Sequence, residues 1–254
     1  MPSKLTDLQA AENHKYRLGG QELVNVTTIS GLIDDGKSGG MAGAAAKLTR
    51  EGINYRQDWD ATRDLGSRVH GHLEKWMRDE EIQVPNEEMP FVDALEKWII
   101  DDNPQMIEQE CVVLSSLGYG GRPDWIGTIT REDWPTGIGI IDLKAGKIYP
   151  IEHSLQICAY SRADGIGVYD EEGNLMGLRP LPKIEWGADL YVRDDGTYRL
   201  ERYPITDDVF EVFCGLLHAY RWTRNPEMKQ LVKESMAYNK SIKEARELVR
   251  KGNQ

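Results

Sequence analysis

Apolar residues recur at helical spacing along several stretches of the chain. Leu65, Val69, Leu73, Trp76 and Met77 make a stripe that predicts an amphipathic helix over 64–77, apolar side inward. Leu155, Cys158 and Ala159 form the buried stripe of another helix over 151–162, and Pro150 suits its first turn. Residues 207–222 place Val209, Val212, Phe213, Leu216, Leu217 and Tyr220 on one side, and 44–51 and 91–100 also read as helices. From Asn225 onward the chain is charged and helical in pattern, with Leu231 and Val232 as a modest stripe suited to an oligomer contact or a solvated tail.

Strand patterns lie between these stretches. Residues 125–130 and 137–143 are rich in Ile, Thr and Trp, and the polar connection 131–136 holds the breaker Pro135, so the pair reads as an antiparallel hairpin. Residues 184–193 and 197–203 form a second hairpin around the turn Asp194-Asp195-Gly196. Other stretches lack either period. Residues 1–22 read as a flexible polar arm, 34–43 as a flexible Gly/Asp/Ala segment, and 163–182 as loop with turns at Asp164-Gly165 and Glu172-Gly173-Asn174.

The first hairpin carries the chemistry. Centred near Asp133, it sets Asp124 opposite Asp142, with Cβ atoms roughly 5 Å apart. Side chains alternate faces, so Asp142 and Lys144 share a side with Asp124 while Leu143 points into the core. Two carboxylates that close are poor neighbours alone but suit a shared divalent cation. Gly121, Gly127 and Gly146 bracket the cluster, as expected where backbone bends or a ligand approaches. The plainer alternative is a solvated hairpin with an ordinary Asp/Lys cross-strand pair. On the 64–77 helix, His70 and Glu74 share a face; a neutral imidazole completes a carboxylate site if that helix crosses the hairpin, and is otherwise a packed or surface residue, as His72 is expected to be. Gln156 and Tyr160 make a second polar pair four residues apart, or simply a surface amide and a half-buried phenol.

Together, Gly66-x-x-x-His70-x-x-x-Glu74, Gly121-Arg122-Pro123-Asp124, Asp142-Leu143-Lys144 and Gln156-x-x-x-Tyr160 closely resemble, in order and spacing, the PD-(D/E)xK nuclease superfamily. The best match is its RecB-like branch, which includes Cas4-type and phage-encoded exonucleases. The resemblance covers 24–203, and Val24-Asn25-Val26-Thr27-Thr28-Ile29 resembles the opening of that domain. It implies an α/β, restriction-endonuclease-like core: a central mixed β-sheet flanked by helices, within a nuclease domain at 23–224 that lies between the arm 1–22 and a charged helical tail at 225–254.

It also implies a metal-dependent deoxyribonuclease, exonuclease favoured over structure-specific endonuclease, serving recombination, repair or phage DNA processing. DNA is the implied substrate and a recombination or annealing protein a candidate partner. The implied catalytic set is Asp124, Asp142, Lys144, Gln156 and Tyr160. Asp124, Asp142 and the Leu143 carbonyl would hold Mg²⁺ or Mn²⁺, with His70 as a nitrogen ligand and Glu110 a further candidate near the metal. Lys144 would orient the attacking water, and Gln156 and Tyr160 would position Lys144 or the DNA backbone. Arg68, Arg122 and Lys147, beside Lys47, Arg50, Arg56 and Arg162, are candidates for contacting phosphates. The chain departs from that family at two points. Its Cys111, Cys158 and Cys214 lack the paired spacing of the four iron–sulfur ligands that Cas4-type members often carry, so no such cluster is expected. The acid before the lysine is Asp142 rather than the commoner Glu, still a good ligand for a hard cation.

Charge changes the picture. A net charge of −11 argues against a passive DNA-coating protein, which is ordinarily basic. A nuclease can carry it if the cleft is locally basic and metals neutralise its carboxylates. No run of about 18 apolar residues suggests a membrane span. Residues 1–7 lack a signal peptide's apolar stretch, and the unpatterned cysteines suit a reducing compartment, so the cytoplasm is expected, the host's if the chain is phage-encoded. Two rivals stay open: a non-catalytic nucleic-acid-binding relative of the same fold, and an unrelated hydrolase of small phosphate esters, which would need a closed pocket.

Overall fold

The computed structural model describes residues 6–33, 45–52, 54, 64–73, 75, 80 and 83–252. Arg56, Glu74, Trp76, Met77 and the expected flexible segment 34–43 lie outside them. The chain divides into two compact units, Met1–Phe213 and Cys214–Gln254. The boundary falls inside a helix rather than at the end of one, upstream of the expected limit at 224.

In chain order, the first unit contains α1 (Asp7–Glu12), β1 (Tyr16–Leu18), β2 (Gln21–Asn25), α2 (Val26–Ser30), α3 (45–50), α4 (64–73), α5 (Met89–Asp102), β3 (Gln105–Gln109), β4 (Val113–Ser115), β5 (Tyr119–Gly121), β6 (Trp125–Thr128) and β7 (Gly139–Lys144). It continues with α6 (Pro150–Ser161), β8 (Gly165–Tyr169), β9 (Leu175–Arg179), β10 (Trp186–Val192), β11 (Tyr198–Tyr203) and the start of α7 (Asp207–Arg224). The second unit holds the rest of α7 and α8 (Pro226–Gly252). Among the described residues no helix is long and apolar enough to cross a membrane.

The described strands form two mixed sheets flanked by helices, an α/β arrangement consistent with a restriction-endonuclease-like core. The mixed β-structure expected as a central sheet is divided between the two. A six-stranded sheet runs β1-β2-β5-β4-β8-β9, and a five-stranded sheet runs β11-β10-β7-β6-β3. The pairs β2–β5 and β7–β10 are parallel, the others antiparallel.

Alternation splits the five-stranded sheet into an apolar and a polar face. Trp125 of β6, Ile141 and Leu143 of β7, and Ala188, Leu190 and Val192 of β10 share one buried cluster with Val69 and Leu73 of α4 and Phe91, Ala94, Leu95 and Trp98 of α5. Trp98 and Trp125 meet edge to face with centroids 6.1 Å apart. Each such fully buried side chain contributes on the order of 1.5–3 kcal/mol. The other face of β7 and β10 carries Asp142, Lys144, Asp189 and Tyr191, and α6 covers it with His153, Gln156 and Ile157. Contact is tight: a Cβ on Gly187 would lie 2.1 Å from Ile157 Cγ2. A polar layer sandwiched beneath a helix is unusual for a core and marks where the chain departs from simple packing.

Two stretches differ from the sequence reading. The segment expected to be a flexible arm, 1–22, contains α1, β1 and the start of β2, with Ala10, Ala11 and Tyr16 buried. Leu18 pairs with Gln21 across Gly19 and Gly20, whose φ angles of 56° and 77° make a two-residue hairpin turn that glycine alone adopts freely. Residues 163–182, expected as loop, contain the hairpin β8–β9, paired from Ile166↔Arg179 to Tyr169↔Leu175. Its glycines, and apolar side chains such as Val168 and Met176 at exposed positions, weaken any local strand signal, and β8 is held instead by its pairing with β4.

Candidate active site

The acidic floor comes from β6 and β7. Trp125 pairs with Ile141 and Ile126 with Ile140, the register that sets Asp124 level with Asp142. Asp124 is buried: Oδ2 accepts the Leu143 N–H at 2.5 Å, and Oδ1 meets His70 Nδ1 at 3.0 Å. So α4 does cross the hairpin, and its Gly66, Ser67, His70 and Gly71 line the same cleft.

Asp142, also buried, forms an ion pair with Lys144 through Oδ2 and accepts Gln156 Nε2 at 3.1 Å through Oδ1. That amide also donates to Tyr160 OH at 3.0 Å, and its Oε1 accepts from Lys144 Nζ at 3.4 Å. The four-residue spacing of Gln156 and Tyr160 on α6 therefore clamps the lysine from one side. Gly121 of β5 makes room for the phenol, since a Cβ there would stand 2.2 Å from Tyr160 Cε1. Glu110 follows β3 with φ of 50°, and its Oε2 accepts Arg122 Nε at 2.6 Å.

These groups meet in one cleft of about 430 Å³, which His14, Tyr16, Asn25 and Thr27 also line. His14 and Tyr16 were not foreseen, because 1–22 read as a flexible arm, although the Gly19-Gly20 pair between alternating residues was the available hairpin signal; Asn25 and Thr27 lie in the stretch read as the opening of the domain, without a role at the site. Of the expected phosphate-contacting residues, Arg122 lines the cleft. Arg68 instead donates to the buried Glu88, which also accepts from His72 at 2.6 Å, and Lys147 is exposed in the β7–α6 link. Arg162 pairs with Asp207 at 2.7 Å.

The electrostatics are polarised. Burial pushes the Asp142 carboxyl up to about 6, with Asp124 and Asp189 adding to the shift although Lys144 opposes it. Asp124 is equally buried, yet His70 and the Leu143 N–H hold its carboxyl below the usual range. Burial would lower His70, but the charge and hydrogen bond of Asp124 overcome it and raise the imidazole to about 9. Lys144 lies above its ordinary value: burial opposes its charge, and Asp142 and Asp189 more than offset that. Two buried carboxylates side by side differ from the exposed pair of a solvated hairpin, and perturbed groups of this kind cluster at functional sites.

The donor set fits a divalent cation. His70, Glu110 and Asp124 each present a ligand atom, and these atoms lie within 4.8 Å of one another. Oxygens with one imidazole nitrogen suit Mg²⁺ or Mn²⁺, provided that the cation displaces the proton that Asp124 favours on His70. Asp142 stands outside that trio, its oxygens engaged by Lys144 and Gln156.

No protein-family model matches the chain, and no curated protein does. Among solved structures, the chain is similar to an alkaline exonuclease from Laribacter hongkongensis, at 14% identity and a TM-score of 0.39, over 85% of this chain and 94% of that one. The functional reading therefore rests on the geometry of the site.

Proposed function

We propose that this chain is a divalent-metal-dependent deoxyribonuclease of the PD-(D/E)xK type, an exonuclease in preference to an endonuclease, acting in DNA recombination, repair or phage DNA processing. The observation that carries the reading is the convergence of Asp124, Asp142, Lys144, Gln156 and Tyr160, from three separate segments, on the cleft that also holds the His70–Glu110–Asp124 trio. Asp124, Asp142, His70 and Glu110, with the Leu143 carbonyl, are the groups that would hold Mg²⁺ or Mn²⁺. Bound there, the cation supplies Lewis acidity toward a phosphate oxygen and favours ionisation of water.

The chain's own residues do the rest. Lys144 carries a fixed positive charge to the floor of the cleft, where it orients water and stabilises negative charge developing on the phosphorus oxygens. Gln156 keeps the ammonium in place, and Tyr160 anchors the Gln156 amide. Arg122 sits at the same cleft with its guanidinium on Glu110, so that a backbone phosphate can draw on it without a long side-chain search.

The test is digestion of end-labelled linear, circular, duplex and single-stranded DNA with Mn²⁺, run beside Lys144→Ala. Cleavage by the wild type and none by a folded Lys144→Ala variant supports the reading. Equal cleavage by both overturns it.

A further inference from the structure

Beside the cleft floor lies a polar group that the proposed chemistry leaves unused. Asp189 on β10 is completely buried and pairs in parallel register with Asp142 on β7, so the two carboxylates project to the same side of neighbouring strands. Adjacent strands are about 4.8 Å apart, which puts a second buried acid within one strand spacing of the first. Its Oδ2 is well supplied: His153 Nδ1 lies at 2.6 Å, and Tyr191 OH donates at 2.9 Å. Tyr191 is the register partner of Lys144 and also meets Tyr203 OH at 3.4 Å. The other oxygen, Oδ1, is buried and makes no hydrogen bond among the described residues.

Such an oxygen is costly to bury without a partner. His153 and Tyr191 bond Oδ2 and Tyr203 reaches the same carboxylate, yet Oδ1 is left without a hydrogen bond of good geometry among the described residues, on the sheet face that also carries Lys144. Lys144 Nζ is ion-paired with Asp142, on the strand next to Asp189. A lysine ammonium and a divalent cation compete for the lone pairs of the Asp142 oxygens. An acceptor one strand over removes that conflict.

We propose that Asp189 is a positioning residue that acts through Lys144: its free oxygen is a second acceptor for the lysine ammonium and so releases Asp142 to ligate a cation. This deepens the nuclease reading and rests on it. His153, Tyr191 and Tyr203 form the scaffold that orients Asp189, and none of them needs to touch DNA.

The test measures Mn²⁺ binding by titration calorimetry, with no DNA present, on four proteins: wild type, Asp189→Asn, Lys144→Met and the double variant. Asparagine keeps an acceptor oxygen for His153 and Tyr191; if Asp189→Asn does not fold by circular dichroism, Asp189→Ser replaces it with the same expectation. We expect Asp189→Asn to weaken Mn²⁺ binding about tenfold, because Lys144 stays on Asp142 and competes with the cation. In the Lys144→Met background the same substitution should change binding by less than about twofold, the non-additivity expected of residues that act as a unit. An unchanged affinity in Asp189→Asn overturns the proposal. An equal loss in both backgrounds also overturns it, since Asp189 would then act on the cation by its charge and not through the lysine. If the wild type binds no Mn²⁺, the nuclease reading and this inference fall together; if it binds Mn²⁺ and Asp189→Asn is unaffected, only this inference falls.

Discussion

Truncating Gln156 to alanine separates a clamped lysine from a merely adjacent one. Gln156 is buried, and its amide donates to Asp142 at 3.1 Å and to Tyr160 at 3.0 Å while accepting from Lys144 at 3.4 Å. The bond to the carboxylate is worth ~1.5–3 kcal/mol and the one to the phenol ~0.5–1.5 kcal/mol, so the loss in stability should be roughly 2–4.5 kcal/mol. The Lys144 contact is long and adds little to that sum. Its value is positional. Lys144 would keep its ion pair with Asp142 but lose its lateral anchor, and a displacement near 1 Å at a reacting centre costs about 100-fold in rate. Urea denaturation of the metal-free protein measures the first quantity, and single-turnover cleavage of end-labelled DNA with saturating Mn²⁺ measures the second. A Gln156→Ala protein that is fully folded at the assay temperature yet cleaves within about threefold of wild type, only ~0.7 kcal/mol of barrier, would refute the clamp.

Other substitutions probe the frame around the site. Gly187→Ala should cost about 1–3 kcal/mol by overpacking against Ile157, and Ile157→Val in the same protein should recover part of it in urea titrations. Trp98→Ala should cost ~3–5 kcal/mol, because Trp98 is fully buried against Trp125 in the cluster beneath β6 and β7; a loss under about 1 kcal/mol would show that the cluster repacks freely. Asp164 gives a pH test away from the site. Although partial burial would raise it, hydrogen bonds from Ser116 N–H and Ser115 Oγ hold its carboxyl below the ordinary value. Its folded pKa is lower than its unfolded one, so its contribution is present above the unfolded value near 3.9 and is lost as pH falls through the folded value. Asp164→Asn should therefore be about 1 kcal/mol less stable at pH 7, a modest figure for an exposed carboxylate, and the deficit should shrink toward zero below about pH 4. A deficit that stays constant from pH 7 to 3 would contradict the hydrogen-bond account.

Local periodicity makes parts of this structure legible in the sequence. The Asp124/Asp142 register follows from counting residues around Asp133, since one apolar face must stay buried and a slip of one residue would expose Ile141 and Leu143. The helical spacing of Leu65, Val69 and Leu73 likewise oriented His70 toward the hairpin. What local pattern lacks is the partner. Tyr16 reads as an aromatic in a polar stretch, and only its packing on Gly120 makes it a wall of the cleft. Arg68 reads as a free basic residue until Glu88, distant in sequence, claims it. Asp189 reads as one acid in a hairpin, because the helix α6 that covers it and brings His153 to it comes from a segment well separated in sequence. The β8–β9 hairpin escaped for a related reason: its hold is the pairing with β4, which no window of nearby residues contains.

The parallel pairing of β2 with β5 bears on how the molecule comes into being. Val24 docks beside Tyr119 and Asn25 beside Gly120, so the wall that carries His14 and Tyr16 has no seat until a much later strand has emerged. At ribosomal speeds of ~5–20 residues per second, that wait lasts roughly 5–20 s, during which the β1–β2 hairpin has an unpaired edge. Gln156 and Tyr160 arrive later still, and Asp189 after them. Contacts that far apart in sequence make for slow folding and leave an early segment exposed while it waits. They also mean that a nascent or truncated chain ending before α6 carries Asp124, Asp142 and Lys144 without the groups that organise them, so the cleft is among the last features of the first unit to take shape.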